Sequence, residues 1–303
     1  MSKFEKTLRD IKSVKIQGAE NIAKASIEAL MSYFSKKSFR KGGVFLSKFS
    51  SVSKRLAKTR PTEPLLRNSI RFVEKEIGSE GDPKELVKRM FGACRQAIYH
   101  YEVAEKSIAD IGSNKIENGM KVFTHCHSSS VTGALKRAKE KGTKFEVFNT
   151  ETRPLFQGRI TAKELAKAKI PVKHFVDSGA RIALKECDLV FMGADAITSE
   201  GKVINKIGSE MFAIVAEKYD VPVYVLSDSW KFDPQSIYGI PEPIEKRSFK
   251  EVWMKAPKGV DVLNIAFERV DPDLIAAIIS ELGIYTPGNF ITEVKRTYPW
   301  LSR

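Results

Sequence analysis

The chain has 303 residues, 42% of them hydrophobic, which is enough for a full core in one large domain or two smaller ones. Its 51 Lys and Arg against 37 Asp and Glu leave a net charge of +14, pointing to polyanionic ligands such as phosphorylated substrates or nucleotides. No run approaches the roughly 18 apolar residues of a membrane span, and the cations are spread along the chain without an aromatic-interleaved RNA module, which disfavours nucleic acid. Met1-Ser2-Lys3-Phe4-Glu5-Lys6 has no apolar signal core, so a cytoplasmic protein is expected. Cys94, Cys126 and Cys187 lie in no metal or redox spacing and are expected as reduced thiols.

Residues 1–120 read as helical. Phe4, Leu8, Ile11 and Val14–Ile16 recur at helical spacing, and the pattern resumes over 21–34 after Gln17-Gly18-Ala19. Shorter helices are expected over 44–57 and 65–77, separated by Thr59-Arg60-Pro61-Thr62-Glu63-Pro64, whose prolines exclude a continuous helix. Residues 84–110 form a long helix with Leu86, Met90, Ala93, Ala97, Tyr101, Ala104 and Ile108 on one stripe.

At Lys121 the texture changes. Strands are predicted over 122–125, 145–149, 172–176, 189–192 and 223–226, alternating with helices over 131–141, 161–169, 180–186 and 210–219. A tight turn at Ser199-Glu200-Gly201-Lys202 marks a small hairpin after Asp195. From Pro241 the chain reads as loop-rich, with a last helix over 273–282. The expected fold class is α/β: an N-terminal helical domain (1–120), then a Rossmann-like, doubly wound and mainly parallel sheet domain (121–303).

The candidate chemistry sits where strands end. Val122-Phe123-Thr124-His125-Cys126 and Leu189-Val190-Phe191-Met192-Gly193-Ala194-Asp195 are apolar runs ending in polar or small residues, as strands look where they leave a parallel sheet. Ligands of open α/β sheets lie outside those carboxyl ends, so a thiol and a carboxyl become candidates for one pocket. The helix after Cys126 would favour its thiolate, and small apolar neighbours would raise the Asp195 pKa towards that of a general acid. Ser128-Ser129-Ser130 precedes a helix, where serines serve as caps or hold phosphate. Asn205-Lys206 offers an amide and a cation, and Arg153 a bidentate anion contact. His125 and His127 would point opposite to Cys126 on an extended strand, which argues against one metal site using all three. His100, His174, Cys94 and Cys187 read as structural or surface residues, and no glycine-rich nucleotide signature is present.

Four motifs in order carry a resemblance: Thr124-His125-Cys126-His127-Ser128-Ser129, Thr150-Glu151-Thr152-Arg153-Pro154 with Gln157-Gly158, Gly193-Ala194-Asp195, and Ile204-Asn205-Lys206-Ile207-Gly208. With Arg60-Pro61-Thr62 and Trp230-Lys231-Phe232, the series resembles the superfamily of aldose-phosphate isomerases and regulatory subunits of translation initiation factor 2B, over nearly the whole chain. The likeness is strongest to its archaeal ribose-bisphosphate branch. That resemblance implies interconversion of α-ribose 1,5-bisphosphate and ribulose 1,5-bisphosphate in nucleotide salvage. Cys126 would be the base, Asp195 the acid, and Arg60, Ser128, Ser129, Ser130, Arg153, Asn205, Lys206 and Lys231 ligand-binding residues. Gln17-Gly18-Ala19 stands where these isomerases carry Arg-Gly-Ala, so Gln17 replaces a phosphate-binding arginine whose charge Arg60 would supply. The resemblance implies no metal or organic cofactor, a homo-oligomer (dimer or hexamer) built through the sheet domain and a C-terminal segment, and a possible nucleotide activator. The alternatives it carries are an isomerase of another ribose 1-phosphate, such as methylthioribose 1-phosphate, and a non-catalytic regulatory subunit that binds a nucleotide or sugar phosphate.

Overall fold

A computed structural model describes residues 1–240 and 247–302. Five helices come first: α1 (Lys3–Lys12), α2 (Ala19–Phe34), α3 (Gly42–Ala57), α4 (Pro64–Ile77) and α5 (Pro83–Ser113). The long α5 starts where its sequence says it should. Asp82 accepts a hydrogen bond from the Lys84 amide at 2.8 Å, and Pro83 occupies the first turn, where no N–H is needed. Its stripe from Leu86 to Ile108 is buried throughout. The expected continuation of α1 through Val14–Ile16 does not occur: the helix ends at Lys12, and Val14 turns the chain with a φ of 58°.

The second half alternates β1 (Lys121–Thr124), α6 (Ser129–Glu140), β2 (Glu146–Thr150), α7 (Gln157–Lys167), β3 (Val172–Phe175), α8 (Ala180–Leu184), β4 (Leu189–Met192), the hairpin β5 (Ala196–Ile197) and β6 (Val203–Lys206), α9 (Ser209–Glu217) and β7 (Val223–Leu226). Then come β8 (Phe267–Val270), β9 (Ala277–Ser280), β10 (Gly283–Tyr285) and α10 (Pro287–Thr297). The main sheet runs β3-β2-β1-β4-β7-β9-β10, parallel except for the β9–β10 pair, while β5, β6 and β8 form a small antiparallel sheet. The chain builds outward from β1 to β3, then returns to place β4 on the other side of β1. That reversal makes the β1–β4 boundary the topological switch point of a doubly wound sheet.

The region from Pro241 onward differs from its reading as loop with a last helix over 273–282. Pro241 itself lies outside the described residues. Beyond it the described residues supply three strands, a short 3-10 turn at Pro272–Leu274 where the helix was expected to start, and a helix that begins later, at Pro287. The cause is the burial of β9, whose four residues are all covered. A strand covered on both faces gives a continuous apolar run, which periodicity cannot tell from a buried helix.

One buried cluster runs from Phe4 through the faces of α2, α4 and α5 to Val190, Phe212, Ile278 and Leu301, so the helices and the sheet share a core. Tyr101 on α5, fully buried, donates to Ser69 on α4 within it.

Candidate active site

A cavity of about 640 Å³ opens at the β1–β4 switch point. Thr124 pairs in register with Phe191, so the segments carrying Cys126 and Asp195 leave the sheet side by side. Both line the cavity, although 69 positions separate them in sequence. Close approach is built in at Gly193: a Cβ there would sit 2.7 Å from the Cβ and Oγ of Ser128, so any side chain would push the Ser128 loop out of place. Opposite, the start of α2 closes the cavity with Gln17, Gly18 and Ala19. Gly18 takes a φ of 84°, which costs glycine little.

Cys126 is held rather than merely placed. Its φ of 66° is left-handed, an unfavourable region for a residue with a Cβ. Its N–H donates to Thr152 Oγ1 at 3.0 Å, and its C=O accepts from Thr161 Oγ1 at 2.8 Å. His125, before it, is buried between Thr150 Oγ1 (2.6 Å) and the Ile207 carbonyl (2.9 Å), and burial pushes its pKa down to about 4, so it stays neutral. His127 instead turns to Thr161 at 3.0 Å. The left-handed turn at Cys126, rather than strand alternation, sends the flanking imidazoles to different partners. Among the described residues, the one group with metal-ligand spacing is His100, Asp228 and Glu281, away from these two imidazoles.

The thiol does not behave as the sequence led one to expect. Burial raises its pKa to about 11, and the Asp195 charge adds to that rise. Lys206, the His127 N–H and Arg247 pull the other way without overcoming it. The preference of a helix N-terminus for thiolate is therefore outweighed by desolvation. Cys126 keeps some surface open to the cavity, yet at neutral pH it is a thiol.

Among the described residues, five cations line the cavity (Lys15, Arg60, Lys206, Lys231 and Arg247) with three carboxylates (Glu20, Glu63 and Asp195). Lys231, 8% exposed, donates from Nζ to the Ala194 carbonyl at 2.7 Å, which sets its ammonium next to the Asp195 backbone. Lys206 lies over the Phe267 ring at 4.4 Å, and Asn205 donates to Ser209 Oγ at 2.9 Å. Arg60 is buried and paired with Glu63 at 3.1 Å. Ser128 caps α6, accepting from the Val131 N–H at 3.4 Å, and Ser129 donates to Glu20 at 3.3 Å. The N-termini of α2, α6 and α7 all reach the lining, giving anion-seeking backbone N–H groups from three directions.

Two candidates lie elsewhere. Ser130 is buried within α6, outside the lining. Arg153 is exposed, with its guanidinium over Phe156 and its Nη2 on the Val252 carbonyl at 3.1 Å, away from the cavity. Gln17 reaches the lining, but its amide donates back to the Val14 carbonyl at 2.9 Å. Sequence reasoning missed Arg247, Glu20, Glu63 and Gln157. The side-chain Oε1 of Gln157 is buried with no hydrogen-bond partner among the described residues, an acceptor ready for a ligand hydroxyl. Its signal was present in the Gln157-Gly158 pair, which carried the resemblance but was given no role.

Comparison with known proteins fits this geometry. Residues 15–287 match the initiation factor 2 subunit family. The chain is similar to a protein named ribose 1,5-bisphosphate isomerase from Pyrococcus furiosus, at 38% identity over 96% of this chain and 92% of that one. It is also similar to one of the same name from Methanocaldococcus jannaschii, at 35% identity over 100% and 98%. Among solved structures, translation initiation factor eIF-2B of Pyrococcus horikoshii OT3 superposes with a TM-score of 0.81 at 27% identity, covering 95% of this chain and 98% of that one.

Proposed function

The chain belongs to the initiation factor 2 subunit family, and from that premise we propose that it is an aldose–ketose isomerase converting α-ribose 1,5-bisphosphate into ribulose 1,5-bisphosphate. The observation that carries the reading is the meeting of Cys126 and Asp195 in one cation-lined cavity at the switch point. The names of the Pyrococcus furiosus and Methanocaldococcus jannaschii relatives support the choice of substrate.

Opening the ring needs an acid, and moving hydrogen from C2 to C1 needs a base. Asp195 gives its proton to the ring oxygen as the C1–O bond breaks. Cys126, as thiolate, takes the C2 proton, and the enol that forms regains that proton at C1. The proton leaving the C2 hydroxyl restores Asp195, so the protons balance. The resting cavity holds Cys126 as a thiol beside Asp195. The reactive form is the tautomer in which one proton has moved from sulfur to carboxylate. Lys206 and Arg247, which favour the thiolate, make that transfer less costly. Lys231, Lys206, Arg60 and the helix N-termini hold the two phosphates, while Gln157 and Asn205 hold hydroxyls.

The same reading includes a cytoplasmic protein and a homo-oligomer, with a helical unit (1–120) and a sheet unit (121–303) as its domains. A regulatory subunit that binds a sugar phosphate without converting it is the second reading. It is favoured by Gln17, which spends its amide on Val14 where the isomerases place an arginine. Phosphorus NMR of the purified protein with α-ribose 1,5-bisphosphate separates them. Formation of ribulose 1,5-bisphosphate supports the isomerase. Conversion of methylthioribose 1-phosphate instead reassigns the substrate, and binding without conversion of either gives the regulatory reading.

A further inference from the structure

Behind the cavity wall stands a cluster of ionisable groups that the reaction does not use: His100 on α5, Asp228 after β7 and Glu281 after β9, their facing atoms within 4.8 Å of one another. Their polar atoms are engaged with each other and with one turn. His100 Nε2 meets Asp228 Oδ1 at 3.0 Å, and the same oxygen accepts from the Trp230 N–H at 2.8 Å. The N–H and hydroxyl of Ser229 both donate to Glu281. The His100 ring stacks on Trp230, 3.9 Å between centroids and 13° from parallel. From α4, Asn68 donates to the carbonyls of Trp230 and Phe232, at 2.7 Å each. Every one of these contacts grips residues 228–232, the turn that carries Lys231 into the cavity.

We propose that His100 is a positioning residue for Lys231: through Asp228 and the face of Trp230 it sets the Ser229–Lys231 turn, and its deprotonation loosens that turn. The inference rests on the reading of the cavity as an anionic-ligand site. The charged groups around the cluster agree on the sign. Burial alone would lower the His100 pKa, but the charge and hydrogen bond of Asp228, with Glu281 behind it, leave it raised. Asp228 is held below the usual carboxylate range despite its burial, chiefly by the His100 charge. Burial and the Asp228 charge push Glu281 up to about 7. Tyr101 and Tyr298 face the cluster as neutral phenols, and Glu20 and Lys231 reach it from the cavity side. Below neutrality the cluster is an imidazolium, a carboxylate and a neutral acid. As pH rises, Glu281 ionises and His100 loses its proton, which leaves two carboxylates facing each other beneath the turn. The grip on Lys231 therefore weakens as pH rises.

The test compares wild type with His100→Phe, which keeps a ring over Trp230 and removes the tie to Asp228. Acetic anhydride labelling, read by mass spectrometry, is expected to modify Lys231 several-fold faster in the variant relative to Lys206 of the same cavity. Calorimetry with α-ribose 1,5-bisphosphate at neutral pH is expected to find affinity lower by roughly tenfold, the effect of one weakened charge-assisted contact. Wild type is expected to lose the same affinity as pH rises, in step with a change in Trp230 emission that His100→Phe lacks. His100→Gln, which can still donate to Asp228, is expected to restore Lys231 protection but not the pH dependence. Wild-type labelling of Lys231 in both variants overturns the proposal, whether or not bisphosphate binds. A wild-type protein that binds no bisphosphate overturns the reading of the cavity instead, and the labelling then decides the role of His100 by itself.

Discussion

Cys126 carries two costs at once: a left-handed backbone and a buried thiol that resists ionisation. Both follow from its fixing between Thr152 and Thr161 at the end of a strand buried on both faces. With a pKa of about 11, on the order of one molecule in ten thousand carries the thiolate at pH 7. Iodoacetamide should therefore alkylate Cys126 slowly at neutral pH, with a rate that climbs about tenfold per pH unit through pH 9. A rate that levels off below pH 8 would contradict this. His125 predicts the opposite limb. Its folded pKa of about 4 lies below the ordinary 6.5, so the unfolded chain takes up the proton first. Stability from this residue is full above 6.5 and is lost as pH falls towards 4, by on the order of 3 kcal/mol. Urea unfolding between pH 7 and pH 4 measures that slope, and His125→Asn should flatten it.

Single elements show what the sequence made legible. Strand ends flagged Cys126 and Asp195, because an apolar run that stops at small and polar residues carries its own topology. The pKa of that thiol was not legible: the helix following it is visible in sequence, but the walls that desolvate the sulfur come from segments far away in the chain. Arg247, Glu20 and Glu63 were missed for the same reason, since isolated charges in a loop or at a helix start gain meaning only when folding brings them to one cavity. Arg153 was misplaced in the opposite way, ending a strand but turning to Val252. At 273–282, β9 read as a helix because burial on both faces erased the two-residue period. The turn at 228–232 gives a prediction at this scale. Asn68 is buried and donates to two of its carbonyls, so Asn68→Ala should cost roughly 1–3 kcal/mol in urea unfolding. It should also weaken bisphosphate binding, because Lys231 rides on that turn. Unchanged stability and affinity together would show that the turn holds itself.

For the whole molecule, the order β3-β2-β1-β4-β7 explains why two motifs so far apart in sequence can act together. A doubly wound sheet brings the ends of β1 and β4 side by side only at its switch point, and the helical half closes the opening from above with the start of α2. The excess of cations lining that cavity matches a doubly phosphorylated sugar, and the net charge of +14 would draw such a ligand in. The measurement that bears most directly on the account is turnover of α-ribose 1,5-bisphosphate by wild type, Cys126→Ser and Asp195→Asn, each first checked for an unchanged thermal melt. The account predicts ribulose 1,5-bisphosphate from wild type and a loss of at least about 10²-fold in both variants, as expected for removing a positioned acid or base. Wild-type rates in either folded variant would contradict it.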